Sequence, residues 1–297
     1  MRVLVSGASG LIGTELVAQL RAAGHEPIRL VRRAAVAEDE VSWNPGVEAL
    51  PAGLIDTFDA VVNLAGATTG KLPWTKKYKI ELVQSRLDST KTLVDAMRAA
   101  TKRPKVFVSG SASGFYGDTG TATALETDPK GTGFLSDLAA EWEQVAYSAP
   151  SDVRVVTVRT TMVFSRKLGA LGRLMPLIRL GVGGPLGNGR QWWDWITLPD
   201  ESRAIIHLIN NTDATGPFNL TAPESSTCTQ VVRALAKAAH RPAIVPVPAF
   251  ALRLAFGLGA DELLLCNQKL SANKLLASGF KFEHPTLESA AAWVVGK

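Results

Sequence analysis

The sequence predicts an α/β fold, a doubly wound parallel sheet with a smaller C-terminal lobe, and three observations predict it. Short apolar runs recur at residues 3–5, 27–31, 59–66, 105–109 and 153–158, the texture of strands buried on both faces. Helical periodicity fills the intervals at 14–23 and 75–100. Beyond Phe164 that alternation lapses, and glycines, tryptophans and prolines take over. Strands joined through helices imply right-handed crossovers with helices on both faces of the sheet.

Taken in order, Val3-Leu4-Val5 reads as the first strand, and Leu16, Val17 and Leu20 share one face of the helix that follows. Gly24 stops that helix, and PIRLV at 27–31 is the second strand. Residues 59–66 form a strand that ends in a glycine turn. Ile80, Val83, Leu87, Val94 and Met97 recur at helical spacing over 75–100. KVFVS at 105–109 and VRVVTV at 153–158 supply further strands. The Gly-rich stretch 181–189 and the cluster Trp192, Trp193, Trp195 read as loop and cover, and 234–248 with the segment to Trp293 as a final helical and extended region. Residues 1–164, which also receive 194–221, are expected to form a nucleotide-binding domain. Residues 165–193 and 222–297 are expected to form a smaller substrate-binding lobe.

Composition narrows the class. With 297 residues, 46% hydrophobic and 20% charged, the chain can bury a large core and is not a disordered or fibrous sequence. No uncharged run approaches the roughly 18 residues of a spanning helix, so no membrane partner is expected. The start, MRVLVSG, lacks the apolar region of a signal peptide. Cys228 and Cys266 form no CxxC pair, which fits a reducing cytoplasm and excludes a thiolate zinc site. His25, His207, His240 and His284 lack metal-ligand spacing, so no metal is expected. The net charge of +5 comes without a basic run or basic-aromatic repeat, so nucleic acid is not expected. It suits a protein that holds anionic ligands.

The sharpest signal lies between the first strand and the first helix. SGASGLIG at residues 6–13 spaces Gly7, Gly10 and Gly13 as G-x-x-G-x-x-G. Glycines allow the tight turn and let backbone N–H groups approach a pyrophosphate, and the helix N-terminus adds partial positive charge. The preceding strand and following helix are the context that gives the pattern meaning and make the sheet Rossmann-like. Gly7, Ser9, Gly10, Leu11, Ile12 and Gly13 are therefore candidate cofactor-binding residues. An NAD site has a carboxylate at the end of the second strand, whereas this chain has Arg32 and Arg33 there. A guanidinium there suits a 2′-phosphate, so the expected cofactor is NADP(H).

These residues resemble the extended short-chain dehydrogenase/reductase superfamily. NLAGA at 63–67 is similar to its strand-end loop beside the cofactor, which implies cofactor contacts for Leu64, Ala65 and Gly66. SGSASGFYG at 109–117 resembles the segment with the superfamily's catalytic serine; Ser111 is the best counterpart and Ser109 the next, the latter as a cofactor contact. PWT at 73–75 followed by Ser85-Arg86, GGPLGNGRQW at 183–192 and PVPAFALR at 246–253 together resemble the atypical "epimerase family protein" group, which ends in a domain of unknown function. The resemblance implies a small-molecule substrate and leaves room for a homodimer paired through the helix over 75–100.

One departure is chemical. The superfamily's Tyr-x-x-x-Lys exchanges the proton on a substrate oxygen. Here Leu82, Gly120 and Ser151 follow Tyr78, Tyr116 and Tyr147 at the lysine's spacing, and the pair is absent. Tyr116 is the candidate replacement donor, its alternative being a ring packed under the loop. Ser111 either polarises a substrate oxygen or holds the nicotinamide amide. Arg86 either approaches the nicotinamide side or makes a helix-surface ion pair. Arg190 is a candidate for a substrate phosphate or carboxylate, and Trp193, with Trp192 as the reverse choice, for the wall of a substrate cleft. Two functions follow: an NADP(H)-dependent oxidoreductase or epimerase acting on a small molecule, or a non-catalytic NADP(H)-binding redox sensor or interaction protein.

Overall fold

The computed structural model describes residues 1–166 and 169–296. Strand β1 (Arg2–Ser6) runs into helix α1 (Leu11–Ala22), then β2 (Glu26–Val31), β3 (Glu40–Ser42) and β4 (Ala60–Asn63). Helix α2 (Lys76–Ala99) leads to β5 (Val106–Ala112), and a single 3₁₀ turn at Ser113–Tyr116 precedes α3 (Phe134–Tyr147) and β6 (Arg154–Thr160). Next come β7 (Met162–Phe164), α4 (Gly169–Arg179), β8 (Trp195–Thr197), α5 (Leu198–Asn210) and β9 (Gly216–Leu220). The chain ends with α6 (Cys228–Ala238), α7 (Ala249–Phe256), a π-helical turn at Ala260–Leu265, α8 (Asn273–Ala277) and α9 (Leu287–Val295).

Seven strands pair in the order β3-β2-β1-β4-β5-β6-β9, every pair parallel. The order reverses at β1, and the crevice beyond the strand ends at such a reversal is where open α/β sheets bind ligands. Strand alternation divides the core. Val3, Val5, Val106, Val108, Val156 and Val158 pack under α1 and α5, whereas Leu4 and Phe107 turn to the opposite face and meet Leu93, Val94 and Met97 of α2. The buried stripe of α2 differs from the apolar series in its sequence. Leu82, Ser89, Thr90, Leu93, Val94 and Met97 face inward, and Ile80 stays exposed. Here buried hydroxyls serve the site described below.

Of residues 194–221, β9 joins the main sheet, while β8 pairs with β7 in a separate two-stranded sheet. A second core lies there, with Phe164 stacked on Trp195 at 5.1 Å among residues of α4, α6 and α9. No described helix is long and apolar enough to cross a membrane.

Candidate cofactor cleft and a buried polar centre

The turn after β1 admits only glycine at two places. Gly7 has φ of 69°, and a Cβ there would sit 2.5 Å from the carbonyl carbon of Leu64. A Cβ on Gly13 would lie 2.2 Å from the Gly7 carbonyl oxygen, so α1 can approach β1 only without one. Gly10 donates its N–H to the Gly7 carbonyl at 2.9 Å and begins α1 without a side-chain cap. The first-turn N–H groups are thus left for a ligand, which fits a pyrophosphate. Ser9 and Gly10 are exposed on this turn. Leu11 and Ile12 are half-buried, with Ile12 against the core under α1 and Leu11 beside Gly169.

A cleft of about 610 Å³ opens here, walled by the glycine turn, Trp43, Leu64, Ala65, Gly66, Ser85 and Ser89, with Arg32 and Arg33 at the end of β2. The two arginines differ. Arg33 is clamped by Glu40 through two bonds of 2.8 and 2.6 Å, and Arg29 reaches the same carboxylate at 3.1 Å. The Arg33 guanidinium, helped by the Val36 N–H, holds the Glu40 carboxyl down at about 2. Arg32 is exposed in the cleft and has no carboxylate partner among the described residues. Glu40, on the three-residue edge strand β3, was invisible as a partner in the sequence, where it lies seven residues beyond Arg33.

At the carboxyl ends of β5 and β6 sits a second polar centre, buried and continuous. Ser111 donates its hydroxyl proton to Glu143 Oε1 at 2.7 Å. Arg159 grips the same carboxylate through Nε at 2.8 Å and Nη2 at 2.9 Å. Its Nη1 donates to the Tyr116 hydroxyl at 2.7 Å, and Tyr116 in turn donates to Asn219 Oδ1 at 2.8 Å. The guanidinium also lies 3.5 Å over the Phe115 ring. A bidentate buried pair satisfies both charges, which a single contact would not.

Both expected catalytic residues lie inside this centre. Tyr116 is 6% exposed, its hydroxyl is engaged as donor and acceptor, and burial pushes its pKa up to about 12. A phenol so held is not a free proton donor at neutral pH; the packed-ring alternative fits better. Ser111, also 6% exposed, stays at the strand end, but its proton is committed to Glu143. Glu143, Arg159 and Asn219 were missed, because their partnership crosses three elements. Asp137 and Glu141, the acidic residues on the outer face of the same helix, are exposed.

Four other candidates take these places. Ser109 is wholly buried with its hydroxyl on the Gly110 carbonyl at 3.3 Å, so it presents no surface to a cofactor. Trp193 is packed in the second core with its indole N–H on the Leu264 carbonyl at 3.0 Å, away from the cleft described above. Trp192 is the half-buried one, with Lys269 over its ring at 4.2 Å. Arg190 is exposed, its backbone N–H held by the Asn188 side chain at 2.9 Å. Arg86 makes no ion pair among the described residues. It lies 5.2 Å over the Trp142 ring beside Gly66, and burial lowers its pKa to about 10. Trp142 is itself anchored on Thr90 of α2 at 2.8 Å.

The comparisons with known proteins agree with this architecture. The NAD dependent epimerase/dehydratase family model matches residues 3–221, and a domain of unknown function (DUF1731) matches 247–294. The chain is 38% identical over 292 residues to the epimerase family protein ML0860 of Mycobacterium leprae, covering 98% of this chain and 94% of that one. It is 34% identical to the epimerase family protein SDR39U1 of Bos taurus, covering 99% and 100%. The human epimerase family protein SDR39U1, crystallised with NADPH, superposes with a TM-score of 0.93 at 32% identity over 99% of each chain. The chain therefore belongs to the NAD-dependent epimerase/dehydratase family, in the branch that carries the DUF1731 domain at its C-terminal end.

Proposed function

We propose that this protein binds NADP(H) and works as an oxidoreductase or epimerase on a small molecule held beyond the carboxyl ends of β4, β5 and β6. The observation that carries the reading is Arg32, an exposed guanidinium without a carboxylate partner among the described residues, at the place where an NAD site holds an acid. The NADPH in the crystal of human SDR39U1 supports the same choice. The N–H groups at Gly7 to Gly13 would hold the pyrophosphate, Arg32 the 2′-phosphate, and Leu64, Ala65 and Gly66 the wall beside the adenosine half. The bound cofactor supplies a hydride donor or acceptor at its nicotinamide ring.

In this reading Ser111 positions rather than protonates. Its O–H points at Glu143, so the lone pairs of Oγ remain to accept a hydrogen bond from a substrate hydroxyl or a carboxamide N–H. Arg159 holds both oxygens of Glu143 and so fixes that carboxylate as the acceptor of the Ser111 proton.

The test combines binding with turnover. Arg32→Ala should weaken NADPH by roughly 1.5–3 kcal/mol, the worth of a charge-assisted bond, and leave NADH nearly unchanged. Equal losses for both would reject the assignment. Nicotinamide absorbance and product analysis should then be followed with pools of carbonyl metabolites and sugar nucleotides. Ser111→Ala should lower turnover, at unchanged cofactor affinity where Oγ accepts from a substrate hydroxyl and with weaker NADPH binding where it accepts from the nicotinamide carboxamide. A second reading, a redox sensor that binds NADP(H) without chemistry, is favoured by the commitment of the Ser111 proton to Glu143 and of the Tyr116 proton to Asn219. Tight NADPH binding with no product from any pool would favour it.

A further inference from the structure

Two segments of the C-terminal half share an uncommon combination. Residues 169–193 and 225–260 together hold Arg173, Arg179, Arg190, Arg233, Lys237, Arg241 and Arg253 and no aspartate or glutamate. They also expose large apolar side chains: Leu180 at 75%, Ile244 at 72%, Phe250 at 73% and Leu254 at 88%, with Leu177, Val182 and Val245 about half exposed.

The structure binds these segments into one surface. Val247 donates its N–H to the Pro185 carbonyl at 2.9 Å, and Gly187 donates to Val247 at 2.8 Å. Gly184 runs so close to Val245 that a Cβ would fall 2.1 Å from its carbonyl oxygen, and Gly181 lies against Pro242. Phe250 and Leu254 stand four residues apart on α7 and so share one helix face. Arg179 and Arg241 are exposed beside the aliphatic residues of their own segments and have no carboxylate partner among the described residues.

We propose that this surface docks on an anionic lipid bilayer, with Leu180, Ile244, Phe250 and Leu254 entering the headgroup boundary and Arg179 and Arg241 meeting lipid phosphates. An interfacial site needs both terms, buried apolar area and cationic attraction. Large apolar side chains exposed together on linked segments mark an interaction surface. Arg253 and Lys237 are paired with Asp261 and Glu288 from outside the two segments, which leaves Arg179 and Arg241 as the cations offered to a ligand. A second copy is the poorer occupant, because an isologous contact sets these two against their own copies. The proposal departs from the sequence expectation of no membrane partner, which rested on the lack of an uncharged run long enough for a spanning helix.

Cosedimentation of the full chain with vesicles tests it. The protein should pellet with phosphatidylcholine vesicles containing about a third phosphatidylglycerol and much less with pure phosphatidylcholine, and added salt should weaken the binding. Leu254→Asp and Phe250→Asp should each lower the partition coefficient about tenfold or more, the worth of one buried large side chain. Arg179→Glu with Arg241→Glu should abolish the preference for anionic vesicles. Unchanged melting temperatures would show that these exposed substitutions leave the fold intact. Absence of partition at low salt, or equal partition by Leu254→Asp, overturns the proposal. So does a dimer in sedimentation velocity that Leu254→Asp dissociates, or binding to an acidic polypeptide without binding to vesicles.

Discussion

Single residues carry the site's division of labour, and Glu143 shows it most clearly. It receives bonds from Ser111 and twice from Arg159, in a buried setting. Glu143→Ala would strand the Arg159 guanidinium and should cost about 3–5 kcal/mol in urea unfolding. A loss below about 1 kcal/mol would mean that the pair is not buried and continuous as described. Tyr116→Phe removes one hydroxyl with two partners and should cost about 1–2 kcal/mol of stability while preserving turnover. Turnover lost at unchanged stability would restore Tyr116 as an acid. Gly7→Ala acts at the other centre. Its positive φ and the Leu64 backbone leave no room for a Cβ, so NADPH affinity should fall tenfold or more. Titration of the variant at unchanged affinity would remove the glycine turn from the cofactor site.

At the scale of elements, legibility followed apolar content. β1, β2, β4, β5 and β6 stand in the sequence as Val- and Leu-rich runs because both of their faces are covered. β3 is three residues long at the sheet edge and begins with Glu40, and β9 begins Gly-Pro; neither carries the apolar run that marks a buried strand. The glycine turn was legible because its constraint is local, a matter of spacing between residues 7 and 13. The Glu143–Arg159 centre was not, because β6 meets α3 only after the sheet forms. Helix α3 also depends on a distant residue. Its N-cap is Gly133, which offers no side chain, and Glu262 from the π-helical turn caps it instead, accepting from Phe134 N–H at 2.9 Å and Leu135 N–H at 2.7 Å. A carboxylate there also complements the helix dipole. Glu262→Ala should therefore lower stability by about 0.5–2 kcal/mol, and hydrogen exchange should speed up in the first turn of α3. Unchanged exchange at Phe134 and Leu135 would deny the cap its role.

For the molecule as a whole, carboxylates of opposite character set the pH dependence of stability. Glu40, clamped by Arg33, has its acidity held at about 2 against an ordinary 4.5. Its folded value lies below the unfolded one, so its contribution is present above about pH 4.5 and is lost as pH falls toward 2. Glu201 on α5 is the reverse. It is wholly buried, accepts one bond from Thr160 at 2.7 Å, and leaves its second oxygen without a partner among the described residues, so burial pushes it up to about 8. Asp194, buried and held by Leu270 N–H at 2.7 Å, is raised to about 6. Between the ordinary carboxylate range and these raised values the folded state binds more protons than the unfolded chain, so stability falls as pH rises. The two slopes meet near pH 4.5, and the wild-type melting temperature should peak around there and decline toward pH 8. Glu201→Gln, which cannot ionise, should flatten the decline between pH 5 and 8 and leave the acid side unchanged. Glu40→Gln should flatten the acid side alone. A wild-type curve that is level from pH 5 to 8, or a decline that survives Glu201→Gln undiminished, would show that the buried carboxyl on α5 is not what couples this fold to protons.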